Sequence, residues 1–297
     1  MAVEHAPHER RGLYGSLMAL GLPAGFIVAN LVFAITSAAV TPEQFAAWAW
    51  RIPFLASAVL VGIGLVVRLS VAESPVFAEL RARRAERRIP VLDIFRRHKR
   101  TVLLAAGSHM SSSSIGYVAA VYFLSYATRE LHIPLTTVLV VLMSSAALFA
   151  VSIFVFARWS DRLGRRRIMT WGLAALTLWS LVVFPLIDTK SVPLIAVAVA
   201  GMMALQGPYI GTQPAVFSEL FPAAVRYSGA SLSVTIGNIV GGFAPVIAAA
   251  LFGLAGTSWA ITAYLATLCC ISWLCALGLQ ETRQRSLAHQ AEESTRC

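Results

Sequence analysis

Apolar residues in this chain come in long runs of about 20 or more, separated by short polar connections. The hydrocarbon core of a bilayer is about 30 Å thick, which takes about 20 residues of helix to cross. Within it a backbone must satisfy its own hydrogen bonds, which a helix does. Eight runs meet that length: residues 13–36, 52–71, 101–127, 134–157, 168–187, 193–217, 228–252 and 258–278. From residue 101 onward six of them follow one another through short connections, while the first two form a pair ahead of a charged stretch, Arg68 to Arg100. The pattern predicts an all-α integral membrane protein with eight transmembrane helices and one real linker.

Composition agrees. The 297 residues are 58% hydrophobic and 13% charged, against about 45–50% and about 25% in soluble domains, so the charge needed to cover a water-soluble surface is missing. The net charge of +10 sits in clusters between apolar runs. A nucleic-acid binder needs an extended basic face with exposed aromatic platforms, so no nucleic-acid partner is expected. The clusters read instead as topology, because the cytoplasmic side of a membrane protein retains Lys and Arg and faces anionic lipid. Alternate connections carry 21 and 3 of these residues, the smaller set being Arg51, Arg129 and Lys190. That split predicts a multi-pass plasma membrane protein with linker and both termini cytoplasmic. The first run is too long for a cleavable signal core. The four cysteines lack metal-site spacing, and no HExxH, G-x-S-x-G or paired intramembrane acids occur. Neither a metal, a cofactor nor an enzyme activity is expected.

The helices are not plain lipid anchors. Small residues recur at four-residue spacing, as in Gly21-x-x-x-Gly25 and Gly237-x-x-x-Gly241, which lets backbones approach closely. Pro208, Pro214 and Pro245 interrupt apolar runs, and each freed carbonyl needs another donor. Polar groups fall on stripes: His109, Ser113 and Tyr117; Gln206, Tyr209 and Gln213; and Ser231, Thr235 and Asn238, with Asn30 alone. Such groups avoid lipid, so they either line a binding cavity or bond helix to helix. For His109 the choice is between an anion- or proton-handling histidine and a packing histidine among serines bonded to their own helix. Tyr122 and Tyr126 read as an interfacial aromatic belt. Every Asp and Glu lies in a loop, a terminus or a helix end.

The most informative connection is 157–167, Ala-Arg-Trp-Ser-Asp-Arg-Leu-Gly-Arg-Arg-Arg. A tight turn explains Gly164 and sidedness explains the arginines, but neither explains Asp161. An acid four residues before a basic cluster can pair with arginine or sit at a helix N-terminus. The stretch resembles the cytoplasmic loop of the major facilitator superfamily, G-x-L-x-D-x-x-G-R-[KR], with Asp161, Gly164, Arg165 and Arg166 matching and Ala157 and Trp159 departing. Further matches narrow the resemblance to its metabolite:proton symporters, carriers for shikimate, α-ketoglutarate, citrate and proline or betaine. They are Trp48-Ala49-Trp50-Arg51-Ile52-Pro53-Phe54, Glu73-Ser74-Pro75-Val76-Phe77, Arg97-His98-Lys99-Arg100, and Glu219-Leu220-Phe221-Pro222 through Arg226-Tyr227-Ser228-Gly229-Ala230.

The resemblance implies a twelve-helix fold in two halves, of which the eight runs align with helices five to twelve. Residues 1–12 then read as a remnant of the fourth helix and its loop, 13–71 as the last two helices of the first half, 72–100 as the linker, 101–278 as the six-helix second half and 279–297 as a cytoplasmic tail. It implies an N-terminally truncated secondary carrier of a small organic acid or zwitterion, coupled to protons. The alternative is a membrane-inserted remnant that transports nothing. The implied solute site lies mid-membrane, with His109, Ser113, Tyr117, Gln206, Tyr209, Gln213 and Asn238 as candidates. Glu219 and Arg226, near Asp161 and Arg165, are candidates for ion pairs that close the inner gate. Expected partners are lipid, the solute and protons, and no feature sets an oligomeric state.

Overall fold

The computed structural model describes residues 11–70, 91–222 and 225–281. The stretch read as a remnant up to residue 10, the linker from 71 to 90 with its 73–77 motif, residues 223–224 and the tail beyond 281 lie outside the described residues. Among those described, every regular element is helical. The chain divides into two compact units, residues 28–93 and residues 1–27 with 94–297.

In the smaller unit the C-terminal part of α1 (Arg11–Ala39) leads into α2 (Pro42–Ala47), a 3-10 turn at Ala49–Arg51 and α3 (Ile52–Ser70). Thr41 starts α2 with a capping box: its hydroxyl accepts from the Gln44 N–H while the Gln44 side chain accepts from the Thr41 N–H, so two orphan donors are satisfied reciprocally. Glu43, exposed in that first turn, is held below the usual carboxylate range by its own backbone N–H and by the Thr41 hydroxyl. Phe33 packs on Phe45 and on Phe54, and Trp50 meets Phe54 edge-on at 5.9 Å. Arg51 lies over the Trp50 ring and donates to the Ala47 carbonyl. The Trp48–Phe54 motif thus ties off a helical hairpin, and Arg51 anchors a helix end.

The larger unit continues with α4 (Val91–Tyr117), which kinks at His98, a π turn at Val118–Tyr122 and α5 (Phe123–Arg129). Then come α6 (Leu135–Leu163), α7 (Arg165–Asp188), α8 (Val192–Ala204), α9 (Gly207–Leu220), α10 (Arg226–Ala255) and α11 (Trp259–Leu277). α6 packs on α8 and α9, and α7 on α9 and α11, around a core that includes Phe123, Leu142, Ile153, Leu173, Phe184 and Tyr209. Outward faces stay apolar, with Leu178, Val246 and Leu254 exposed, as surfaces solvated by lipid are.

Among the described residues seven helical stretches are long and apolar enough to cross a membrane, and they correspond to seven of the eight expected runs. The eighth, 101–127, is helical too but carries Ser108, His109 and Ser111–Ser114 at its centre. Those groups are accommodated by other helices. The Ser272 hydroxyl of α11 accepts from the Ser111 N–H at 3.0 Å and donates to the Gly107 carbonyl at 2.7 Å, inserting between two groups four residues apart that a regular helix would bond directly.

The run 193–217 is not one helix. It breaks at Leu205–Gln206, and Pro208 stands in the first turn of α9. A proline N cannot donate to the carbonyl four residues back, here that of Ala204, and the Ser152 hydroxyl of α6 donates to it at 2.6 Å.

One expectation is overturned. Tyr122 and Tyr126 form no interfacial belt: they are 7% and 6% exposed and stack at 5.7 Å. The reason is a polar partner inside the protein, since the Tyr126 hydroxyl donates to Asp188 at 2.7 Å.

Candidate functional site

The three polar stripes converge on His109. From α4, its Nε2 lies 3.1 Å from the Asn238 side-chain oxygen on α10, which also accepts from the Ser113 hydroxyl at 2.9 Å. From α9, the Gln213 amide nitrogen and the Tyr209 hydroxyl approach Nδ1 at 3.2 and 3.4 Å, and the Tyr209 ring stacks on the imidazole at 5.9 Å. Behind them Ser108 contacts the Tyr209 hydroxyl, and Ser112 donates to the Gln206 side-chain oxygen at 3.3 Å.

This pattern sets the tautomer. Nε2 faces an oxygen and donates; Nδ1 faces an amide N–H and a hydroxyl and accepts. Both ring nitrogens are engaged, so His109 holds Gln213 and Asn238 in place. Of the sequence candidates, Gln206, Tyr209, His109 and Ser113 are buried, Gln213 is half-buried and Asn238 is exposed. Tyr117 is 45% exposed and stands apart from these contacts, and Ser231 and Thr235 are exposed as well. The cluster therefore has a reachable front of Asn238 and Gln213 and a buried back that fixes their orientation.

Close approach of α10 to α4 makes this possible. A Cβ at Gly237 would stand 2.9 Å from His109 Cβ, and one at Gly241 would lie 2.8 Å from the Ser113 carbonyl carbon. Two positions of the Gly237-x-x-x-Gly241 repeat are thus occupied by the neighbouring helix.

A second, charged cluster stands at the α6–α7 turn. Arg165, at 1% exposure the largest fully buried side chain among the described residues, pairs closely with Glu219 at the end of α9 and lies 3.6 Å from Asp161 in the last turn of α6. Asp161 also accepts from the Leu13 N–H of α1 at 3.2 Å. Arg226, half-buried, opens α10 beyond the Phe221–Pro222 turn. The Arg166 guanidinium donates to the Leu277 carbonyl.

Glu281, which the sequence reading passed over, accepts from the backbone N–H groups of Arg165 and Arg166 at 3.2 Å each. A carboxylate there complements the positive end of α7. No local signal marks it, because its partners lie 115 and 116 residues away.

Gly164 joins α6 to α7 at φ 102°, and a Cβ there would stand 3.0 Å from the Glu281 carboxylate. We expect Gly164→Ala to cost about 1–3 kcal/mol from backbone strain, read as a lower melting temperature of the purified protein. An unchanged melt would show that the turn accepts a side chain.

The chain matches the family described as Sugar (and other) transporter over residues 1–93 and 77–293. It is 36% identical over 296 residues to the inner membrane metabolite transport protein YhjE of Escherichia coli, covering 97% of this chain and 66% of that protein. To the shikimate transporter of the same organism it is 31% identical, covering 96% of this chain and 66% of that one. A putative proline/betaine transporter of Staphylococcus aureus is 28% identical, with 91% and 59% covered. The chain thus spans about two thirds or less of these relatives' length. Among solved structures it is similar to the major facilitator superfamily proton:xylose symporter XylE, with a TM-score of 0.76 at 15% identity, covering 98% of this chain and 69% of that one. At that identity the likeness concerns the fold.

Proposed function

We propose, given that the chain belongs to the sugar (and other) transporter family of the major facilitator superfamily, that it serves secondary transport of a small organic solute across a bacterial inner membrane, driven by protons. The family is one of carriers, so the solute crosses without covalent change. The relatives' names point toward an organic acid such as shikimate or a zwitterion such as betaine. The observation that carries the reading is the convergence of α4, α9 and α10 on the His109 cluster. Asn238 and Gln213 present amide donors and acceptors from a fixed back, which suits carboxylate and hydroxyl groups. No side chain in that cluster carries a permanent charge, in keeping with a solute recognised by hydrogen bonds.

In this reading the linker and both termini lie in the cytoplasm, as the Lys and Arg distribution implies, which places the Arg165 cluster at the inner face. Its ion pairs hold the inner gate closed in one state and part in the other, the differential interaction that a conformational switch needs. Domain boundaries follow the family pattern, with a helical pair, a linker and a six-helix half.

The test is uptake of radiolabelled shikimate and betaine into cells expressing the gene's complete product. We expect accumulation under an inward proton gradient and its loss on adding a protonophore. Concentrative uptake without any ion gradient would overturn symport. Insertion without uptake of any solute tried would support the inactive alternative. Within an active protein, Asn238→Leu removes the acceptor shared by His109 and Ser113 and should lower uptake about tenfold or more at subsaturating solute. Unchanged uptake would remove the cluster from recognition.

A further inference from the structure

At the far end of α7 from Arg165, about 36 Å away at 1.5 Å per residue, Asp188 closes the helix with a carboxylate. A helix C-terminus is its negative end, where an acid is disfavoured, so some other interaction holds this one. One oxygen accepts from the Tyr126 hydroxyl of α5 at 2.7 Å, and the other accepts from the Ser258 hydroxyl. Ser258 is the residue that starts α11, and its carbonyl accepts from the Thr262 N–H at 3.0 Å. The Tyr126 ring meets Phe184 of α7 at 6.0 Å and Phe252 of α10 at 5.2 Å. One carboxylate therefore gathers α5 and α11 onto α7, and the phenol it holds is wedged against α10.

The segment so held is short and follows an irregular turn. α5 is only seven residues long and is joined to α4 through the π turn Val118–Tyr122. Such turns are rare and occur frequently at functional sites.

We infer that Asp188 is a positioning residue that clamps α5 to α7 and α11, so that this end of the bundle moves as one block and the π turn does not act as a hinge. The clamp rests on contacts inside the bundle and holds whether or not the carrier reading does.

Ala127, fully buried beside Tyr126, reports on it. A single cysteine at position 127, in a chain whose four native cysteines are replaced by serine, should react slowly with a membrane-impermeant maleimide applied to open membrane fragments. Asp188→Ala and Tyr126→Phe should each raise that rate by about tenfold or more, since local opening governs access. Adding Tyr126→Phe to Asp188→Ala should add little, because the two remove one interaction. Asp188→Asn, which keeps one acceptor oxygen, should fall between. Fast labelling in the parent, or labelling unchanged in Asp188→Ala and Tyr126→Phe, would overturn the clamp. If Asp188→Ala fails to insert, Tyr126→Phe, which lacks one hydroxyl, decides alone. Absence of uptake in parent and variants alike would count against the carrier reading and leave the labelling result standing.

Discussion

Replacing Arg165 by alanine should be the most damaging single substitution at the α6–α7 turn, costing about 3–5 kcal/mol, the range for breaking a buried ion pair from one side. Arg165 is 1% exposed and Glu219 fully buried, with Asp161 also within reach of the guanidinium. Its removal takes away the guanidinium that both carboxylates face. Set against a total stability of about 5–15 kcal/mol, the protein should melt far lower in detergent or fail to accumulate. Arg165→Lys should recover only part of the loss, because a point charge cannot reach two carboxylates as a planar fork does. The informative partner is Arg165→Met with Glu219→Leu, since an apolar pair of similar volume is often neutral or stabilising. If that variant regains its melting temperature yet transports poorly, the ion pair works in the gate. If it transports normally, the pair is structural alone. A single Arg165→Ala variant that melts like the parent would refute the burial argument itself.

The second large effect separates two adjacent glycines. Gly241→Ala places a methyl group 2.8 Å from the Ser113 carbonyl carbon, whereas Gly242 has nothing within 4 Å of its would-be Cβ. To accept the methyl, α10 must withdraw from α4, and overpacking of this kind costs about 1–3 kcal/mol. The larger consequence concerns the site. Asn238 holds His109 at 3.1 Å and Ser113 at 2.9 Å, near the outer end of the usual range of about 2.7–3.2 Å for the first, so a withdrawal of α10 by about 1 Å breaks both. We therefore expect Gly241→Ala to reduce uptake severely, by about 100-fold if a displacement near 1 Å costs what it does in other pre-organised sites. Gly242→Ala should behave as the parent, or slightly better for the helix propensity gained. Equal behaviour of the two variants would show that the α4–α10 approach is not needed for transport.

How much of this was legible beforehand differs from residue to residue. The spans were readable because lipid imposes length and apolarity on any helix that crosses it, and seven of the eight expected runs meet both conditions. The run at 101–127 is helical but is not among those seven; it is polar at its centre, and Ser272, more than 150 residues away, bonds its backbone. The stripes through His109, Tyr209 and Asn238 followed from helical spacing, though spacing left open whether they faced a cavity or each other. Tyr117 kept the spacing and is exposed, while Tyr122 and Tyr126, read as an outer belt, are buried. Asp161 stood out because nothing local required an acid there. Glu281 and Asp188 did not, because nothing local distinguished them from surface charge.

By itself, then, the amino-acid order determined the all-helical membrane class and seven of the spans, which helix positions carry polar groups and which turn concentrates charge. These are properties of neighbours along the chain: run length, helical period and charge count. Only the tertiary structure decided that three stripes meet at one imidazole, that Arg165 is the arginine turned inward among the five of the 158–167 stretch, and that Ser152 serves the carbonyl freed by Pro208. Those outcomes depend on how closely two helices approach, to within a few tenths of an ångström. That distance is set by small residues on one helix meeting side chains from another, which one-dimensional spacing does not encode.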